Sequence, residues 1–192
     1  MINARAESAP DKPAYRHAFR KRRCVIPASG FYEWKKPMKS APAKTPKQPF
    51  YVHREDGQPI ALAGLWERWR PKDEPDAEPI DSVTILTMPP TEQLAELHNR
   101  MPVILHPDDI DTWLSGGDAT AAEGQTEDEA LLNALEGVIS HRGAAGLTMR
   151  PVSRRVNNVR NDDAAILEES DTEGDDDGGR GPTKGETPSL FD

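Results

Sequence analysis

Apolar residues in this chain come in short runs broken by glycine, proline and acidic turns, a pattern that predicts strands more than helices. Residues 1–8 read as an extended entry. Pro13 to Arg20 predicts a short helix, with Asp11 as its cap and Pro13 in its first turn. Two apolar runs follow, one around Cys24–Pro27 and one over Phe31–Lys35, joined by Ser29-Gly30. Pro37 to Pro49 carries four prolines and no periodicity, so it is a loop. Phe50–Arg54 and Ile60–Trp69 flank Asp56-Gly57, which predicts a hairpin. Trp66 and Trp69 face opposite sides of that second strand, and Trp66 is assigned to the core. After an acidic loop over Pro71–Pro79, Ser82–Thr87 alternates as a strand. Thr91 caps a short helix ending at Leu97, which delivers His98. Val103–Leu105 is a strand and Pro107–Leu114 a helix with Trp113 and Leu114 packed. Gly116–Asp128 is a loop, Glu129–Leu135 a helix and Gly146–Val152 the last strand. The sum is a strand-rich α+β body with short helices.

Length and composition fit one domain with one core: 192 residues, 35% hydrophobic, with 18 prolines and 14 glycines making many turns. A body over 1–163 is expected, followed by an acidic tail over 164–192 that cannot bury enough apolar area to order itself. Leu190-Phe191 near its end is a candidate docking motif for a partner the sequence does not identify. No run reaches the length of a membrane span and no basic-then-apolar leader is seen, so a soluble, cytoplasmic protein without membrane attachment is expected. The single cysteine, Cys24, forms no internal disulfide and no cysteine-based metal cluster; it reads as a buried small hydrophobe. The five histidines show no metal-ligand spacing, so neither metal nor cofactor is expected.

The net charge of −9 conceals a division. Residues 162–192 hold eleven acidic and two basic residues; residues 1–72 hold sixteen basic and six acidic; residues 73–161 hold six basic and sixteen acidic. The basic part, with Arg20-Lys21-Arg22-Arg23 in its middle, suits a phosphate backbone. Scattered charge around a sheet fits equally, and at the four-cation run a solvated junction is the first reading and a phosphate contact the second.

Glu33 lies between Tyr32 and Trp34. A carboxylate flanked by aromatics loses water and gains proton affinity, which suits a general acid or base, although an ordinary strand glutamate has the same neighbours. The surrounding words decide more. Arg23-Cys24-Val25-Ile26-Pro27-Ala28-Ser29-Gly30-Phe31-Tyr32-Glu33-Trp34 resembles the central motif of the SOS-response-associated peptidase family, the abasic-site-processing proteins. Asn3-Ala4-Arg5-Ala6-Glu7 resembles its Asn-Ala-Arg-x-Glu segment, and Ala63-Gly64-Leu65-Trp66-Glu67 one of its strands. His98-Asn99-Arg100-Met101-Pro102 resembles its His-x-Arg-Met-Pro turn, and Val152-Ser153 through Val156-Asn157-Asn158 its closing motif. The resemblance runs from about residue 2 to residue 163.

The resemblance implies a single domain with a β-barrel-like core that captures abasic sites in single-stranded DNA. In the family an N-terminal cysteine's amine and thiol condense with the ring-opened sugar to a thiazolidine, and the same site removes the initiator Met. It implies Glu33 and His98 for proton transfer, Asn3 for hydrogen bonds to the cysteine end or the sugar, and Arg5 and Arg100 on flanking phosphates. Family members begin Met-Cys-Gly-Arg, ahead of the Asn-Ala-Arg segment. Here Met1-Ile2 precedes Asn3, so an N-terminally truncated family domain lacking the nucleophile is expected. A non-catalytic remnant that only binds single-stranded DNA is the alternative.

Overall fold

The computed structural model describes residues 1–74, 76–117 and 121–169. The tail expected beyond 163 lies outside them from residue 170 onward, Leu190-Phe191 included. Alternating burial builds two sheets. The first has the order β1 (Asn3–Arg5), β6 (Ile80–Met88), β5 (Ile60–Trp69), β2 (Arg23–Ala28), with β7 (Met101–Pro102) on β6. The second has the order β3 (Phe31–Lys35), β4 (Gln48–Arg54), β8 (Leu147–Pro151). The fold is α+β and strand-rich as expected, but the strands form two sheets and no closed barrel.

The chain changes sheet at both of its turn signals. Ser29-Gly30 leads from β2 in one sheet to β3 in the other, and Asp56-Gly57 leads from β4 back to β5. The predicted hairpin is therefore absent: β4 pairs β3 and β8, while β5 pairs β2 and β6. The turn chemistry itself is sound. Gly57 has φ +69°, and Asp56 accepts from the Arg54 guanidinium and the Gln58 N–H, which pull its carboxyl down to about 2. Turn residues fix a reversal, not the neighbour each strand takes. At Gly30 a side chain would collide with the Val52 carbonyl and the Tyr51 ring.

β1 runs parallel to β6, Asn3 opposite Ile85 and Arg5 opposite Thr87. β5 and β6 pair as far as Gly64↔Ile85. Beyond that point residues 101–105 fill the space between them: Thr87 faces Pro102, the Val103 N–H donates to Leu86, the Ala63 N–H donates to Val103, and Ile104 bridges Leu62. This insertion carries the turn holding His98 into the centre of the fold.

The helices are α1 (Arg16–Lys21), α2 (Ile110–Ser115) and α3 (Glu127–Val138). α1 starts later than predicted, at Arg16 behind Tyr15 rather than behind Asp11. α3 starts earlier, because Thr126 and Glu129 close a reciprocal capping box. Phe19 of α1 meets Trp113 of α2 edge to face at 5.8 Å, and the Trp113 indole donates to the Cys24 carbonyl at 3.0 Å. Both rings are fully buried, each worth about 1.5–3 kcal/mol of transfer free energy or more. Trp113 is fully buried, as expected; of the β5 pair, Trp66 is the inner one, half-buried beneath the Arg22 guanidinium, while Trp69 is 57% exposed. Leu114, expected to pack, is 45% exposed.

Candidate active site

Glu33 occupies the middle of β3, whose odd residues face the other sheet. Phe31 and Glu33 are buried, and Glu33 is only 2% exposed. Tyr32 and Trp34, at neighbouring positions, point to the opposite face. The flanking aromatics therefore do not desolvate the carboxylate; burial between the two sheets does. Across the strand pair its partner is Phe50.

His98 follows a 3₁₀ turn over Leu94–Glu96 in place of the predicted helix. Thr91 caps that turn, its hydroxyl accepting from the Leu94 N–H at 3.3 Å, and the His98 N–H donates to Leu94 at 3.1 Å. The turn carries the imidazole to Glu33, with Nδ1 at 3.9 Å from the carboxylate Oε1 and the His98 side chain 12% exposed. The two segments are distant in sequence, and no spacing rule links them. Lys35, at the end of β3, ion-pairs with Glu96 at 3.1 Å and holds the same turn to the same strand. Nδ1 also lies 3.3 Å from the Arg100 backbone N–H. An unprotonated Nδ1 accepts that N–H; a protonated one faces the carboxylate.

Arg100 was expected on a phosphate. Its guanidinium is instead committed inward, donating to both Glu7 oxygens at 2.7 and 2.9 Å and to the Thr87 carbonyl at 2.5 Å and hydroxyl at 3.2 Å. The Arg100 bond holds the Glu7 carboxyl below its usual range, with backbone bonding and Coulomb attraction adding to it against some desolvation. Thr87 in turn donates to the Ala4 carbonyl at 3.3 Å. Glu7, Thr87 and Arg100 therefore tie β1 and β6 to the His98 turn. Sequence reading passed over Glu7 and Thr87: Glu7 stands in a recognised segment, but nothing in the chain names Arg100 as its partner.

Asn3 and Arg5 lie on β1. With Ala4, Lys12, Tyr15, Thr87 and Met1 they line a cavity of about 180 Å³. Asn3 Oδ1 is buried there without a hydrogen-bond partner among the described residues, ready to accept from a bound hydroxyl or amine. Arg5 is exposed. The structure thus joins Glu33 to His98 directly, and joins Asn3 and Arg5 to them only through Thr87 and Arg100.

The cation run is largely consumed within the fold. Arg20 bonds Asp128 at 2.6 and 3.0 Å, and Arg22 pairs with Glu67. Arg23 donates to the carbonyls of Phe19, Arg20, Trp113 and Leu114. Cys24 is half-buried on β2, where burial pushes its thiol up, away from the reactive thiolate. Among the described residues no cluster of three His, Cys, Asp or Glu could hold a metal, and no helix is long and apolar enough to cross a membrane.

The profile of the SOS response associated peptidase (SRAP) family matches residues 1–159. The chain is 40% identical over 115 residues to the abasic site processing protein YoqW of Bacillus subtilis, covering 60% of this chain and 48% of that protein. It is 33% identical over 168 residues to the abasic site processing protein YoaM of the same organism, covering 88% of this chain and 66% of that one. The chain thus spans about half the length of the first relative and two thirds of the second. A crystal structure of a protein from Bacteroides thetaiotaomicron shares the fold, with TM-score 0.67 and 22% identity, over 88% of this chain and 65% of that one.

Proposed function

The chain belongs to the SOS response associated peptidase family, and from that premise we propose that it acts on abasic sites in single-stranded DNA, with Glu33 and His98 as the proton-transfer pair. The observation that carries the reading is the meeting of these two side chains at 3.9 Å between the sheets. An abasic sugar is mostly a closed hemiacetal. Opening it moves a proton from the C1′ hydroxyl to the ring oxygen. An amine then adds to the aldehyde, and the carbinolamine must shed water, which leaves as its oxygen gains a proton. A thiol adding to the resulting imine closes a thiazolidine. Each step needs a proton given or taken at one carbon, and a buried acid facing an imidazole supplies both. Asn3 Oδ1, lacking a partner among the described residues, is assigned to a hydroxyl or amine at that carbon. The exposed Arg5 is assigned to a neighbouring phosphate. Arg100 acts from behind, positioning His98.

Cys24, the single thiol of residues 1–192, does not fit the amine-and-thiol part: it is half-buried on β2 and has no free α-amine. The 192-residue polypeptide alone is expected to form no heat-stable adduct with an abasic oligonucleotide. Its acid–base half is testable by supplying free cysteine as the missing amine and thiol. The protein is expected to speed thiazolidine formation at an abasic site in single-stranded DNA by about 10²-fold, and Glu33→Gln or His98→Gln is expected to abolish the acceleration. Equal rates with and without protein, or an unimpaired Glu33→Gln, would refute the assignment.

A further inference from the structure

The outer face of the three-stranded sheet carries a feature that the acid–base site does not use. Tyr32 and Trp34 of β3, Tyr51 and His53 of β4, and Arg150 of β8 all project there, because Tyr32 pairs with Tyr51 and Tyr51 with Arg150 across the sheet. The rings form a continuous series. Tyr51 stacks on His53 at 5.0 Å and 19°, Tyr32 leans on Tyr51 at 5.4 Å, and Trp34 lies 6.5 Å from Tyr32. Asn157 fixes the Trp34 indole at 2.7 Å. The Arg150 guanidinium sits over Tyr51, 5.8 Å from its centroid.

At least half of the fourteen arginines among the described residues are ion-paired, and Arg150 is not one of these. Arg20, Arg22, Arg54, Arg68, Arg100, Arg142 and Arg155 are all ion-paired. Arg150 has only the ring beneath it, with no acceptor among the described residues. All its N–H donors are therefore available over an aromatic surface. The α-helices pack elsewhere, α1 on β2 and β5 and α2 on β2 and α3, while the 3₁₀ turn over Arg154–Asn157 packs on β4 and covers the Trp34 end of this face. β3 is moreover the edge of its sheet, so a strand can pass around it from the Glu33 side to this face.

We propose that this face is a stacking surface for single-stranded DNA, its bases lying on Tyr32 and His53 and a phosphate meeting Arg150. Rings accept any base by its π face, and a guanidinium already seated on a ring reaches a phosphate with two parallel donors. This takes from the proposed function only the class of partner. It assigns DNA contact to Arg150, outside every motif that carried the family resemblance.

The test is the affinity of the whole chain for an intact oligo-dT of about twelve nucleotides, long enough for one such surface, read by fluorescence anisotropy at low salt. Arg150→Gln and His53→Ala, both at half-buried surface positions, are each expected to weaken binding about tenfold without moving the melting transition. Duplex DNA of equal length is expected to bind more weakly. Wild-type affinity in both variants would overturn the proposal. So would no binding by the wild type, duplex binding as tight as single-strand binding, or polyglutamate competing as well as oligo-dT. Because the probe contains no abasic site, failure of the Glu33–His98 chemistry leaves this readout intact. Loss of oligo-dT binding with that chemistry retained would remove the stacking surface alone.

Discussion

Half-buried Arg23 and fully buried Glu33 are ionisable groups on consecutive strands, and the fold treats them differently. Around Arg23 every neighbour is a fixed backbone acceptor: its guanidinium donates to Phe19, Arg20, Trp113 and Leu114 and so fastens α1, β2 and α2 together. Burial pushes its pKa down, but an arginine keeps its proton across the physiological range. Glu33 instead faces a group that can itself gain or lose a proton, at 3.9 Å. The contrast is between a half-buried cation tied to fixed backbone acceptors and a buried carboxylate set beside an imidazole, the pair to which we assign proton transfer.

Breaking the chemical side is expected to give the largest effect. Glu33→Gln keeps the shape and removes the charge, so the cysteine-assisted reaction is expected to fall by about 10²-fold with the melting transition retained. If the variant instead failed to fold, Glu33 would be a structural charge like Arg23. Breaking the structural side comes next. Arg23→Met leaves several inward-facing carbonyls without their donor and is expected to cost about 2–4 kcal/mol in denaturant unfolding. Its activity per folded molecule should match wild type; a specific loss of rate would blur the distinction.

The clamp behind His98 gives a smaller, pH-dependent effect. Arg100 lowers the Glu7 carboxyl, so the folded state binds that proton less readily than the unfolded chain. The stabilisation is therefore present above the ordinary carboxylate pKa and is lost as pH falls through the lowered value. Glu7 is 49% exposed, so solvent limits the contribution to about 1 kcal/mol or less. Glu7→Gln is expected to flatten the drop in melting temperature between neutral and acid pH. An unchanged drop would show that the clamp carries no stability. The smallest effect is assigned to Arg68–Asp81, a bidentate pair at 2.6 and 2.7 Å with both side chains more than half exposed. Arg68→Ala is expected to leave the melting temperature where it is; a clear shift would mean that exposure is a poor guide in this protein.

Much of the fold was legible locally. Phe31–Lys35 and Ile60–Trp69 have the bounds that their alternation and flanking turns predict. What local signals missed was partnership. Asp56-Gly57 marks a reversal correctly, yet the two strands it joins enter different sheets, because pairing is decided by which faces must be buried together. Arg100 was assigned to a phosphate from the family resemblance, and its ion pair with Glu7, from the far end of the chain, had no local signal. At Glu33 the loss of water was expected, but its cause is different. Its aromatic neighbours cover the reverse side of the strand, and burial between the sheets removes the water. The approach of His98 to Glu33 came from the family resemblance, since no periodicity connects them.

The strand order also bears on how the molecule is made. β4 obtains its second neighbour only when Leu147–Pro151 arrives, and β1 waits for Ile80–Met88 before it has any. A nascent chain leaving the ribosome would therefore hold the open side of β4 bare, with Phe50 and Val52 facing a cavity not yet closed, until Leu147–Pro151 is made. Folding should be slow for a protein of this size and should finish late, because long loops must close before either sheet is whole. Substitutions in β8 would then show themselves first as aggregation during expression, ahead of any change in the purified protein.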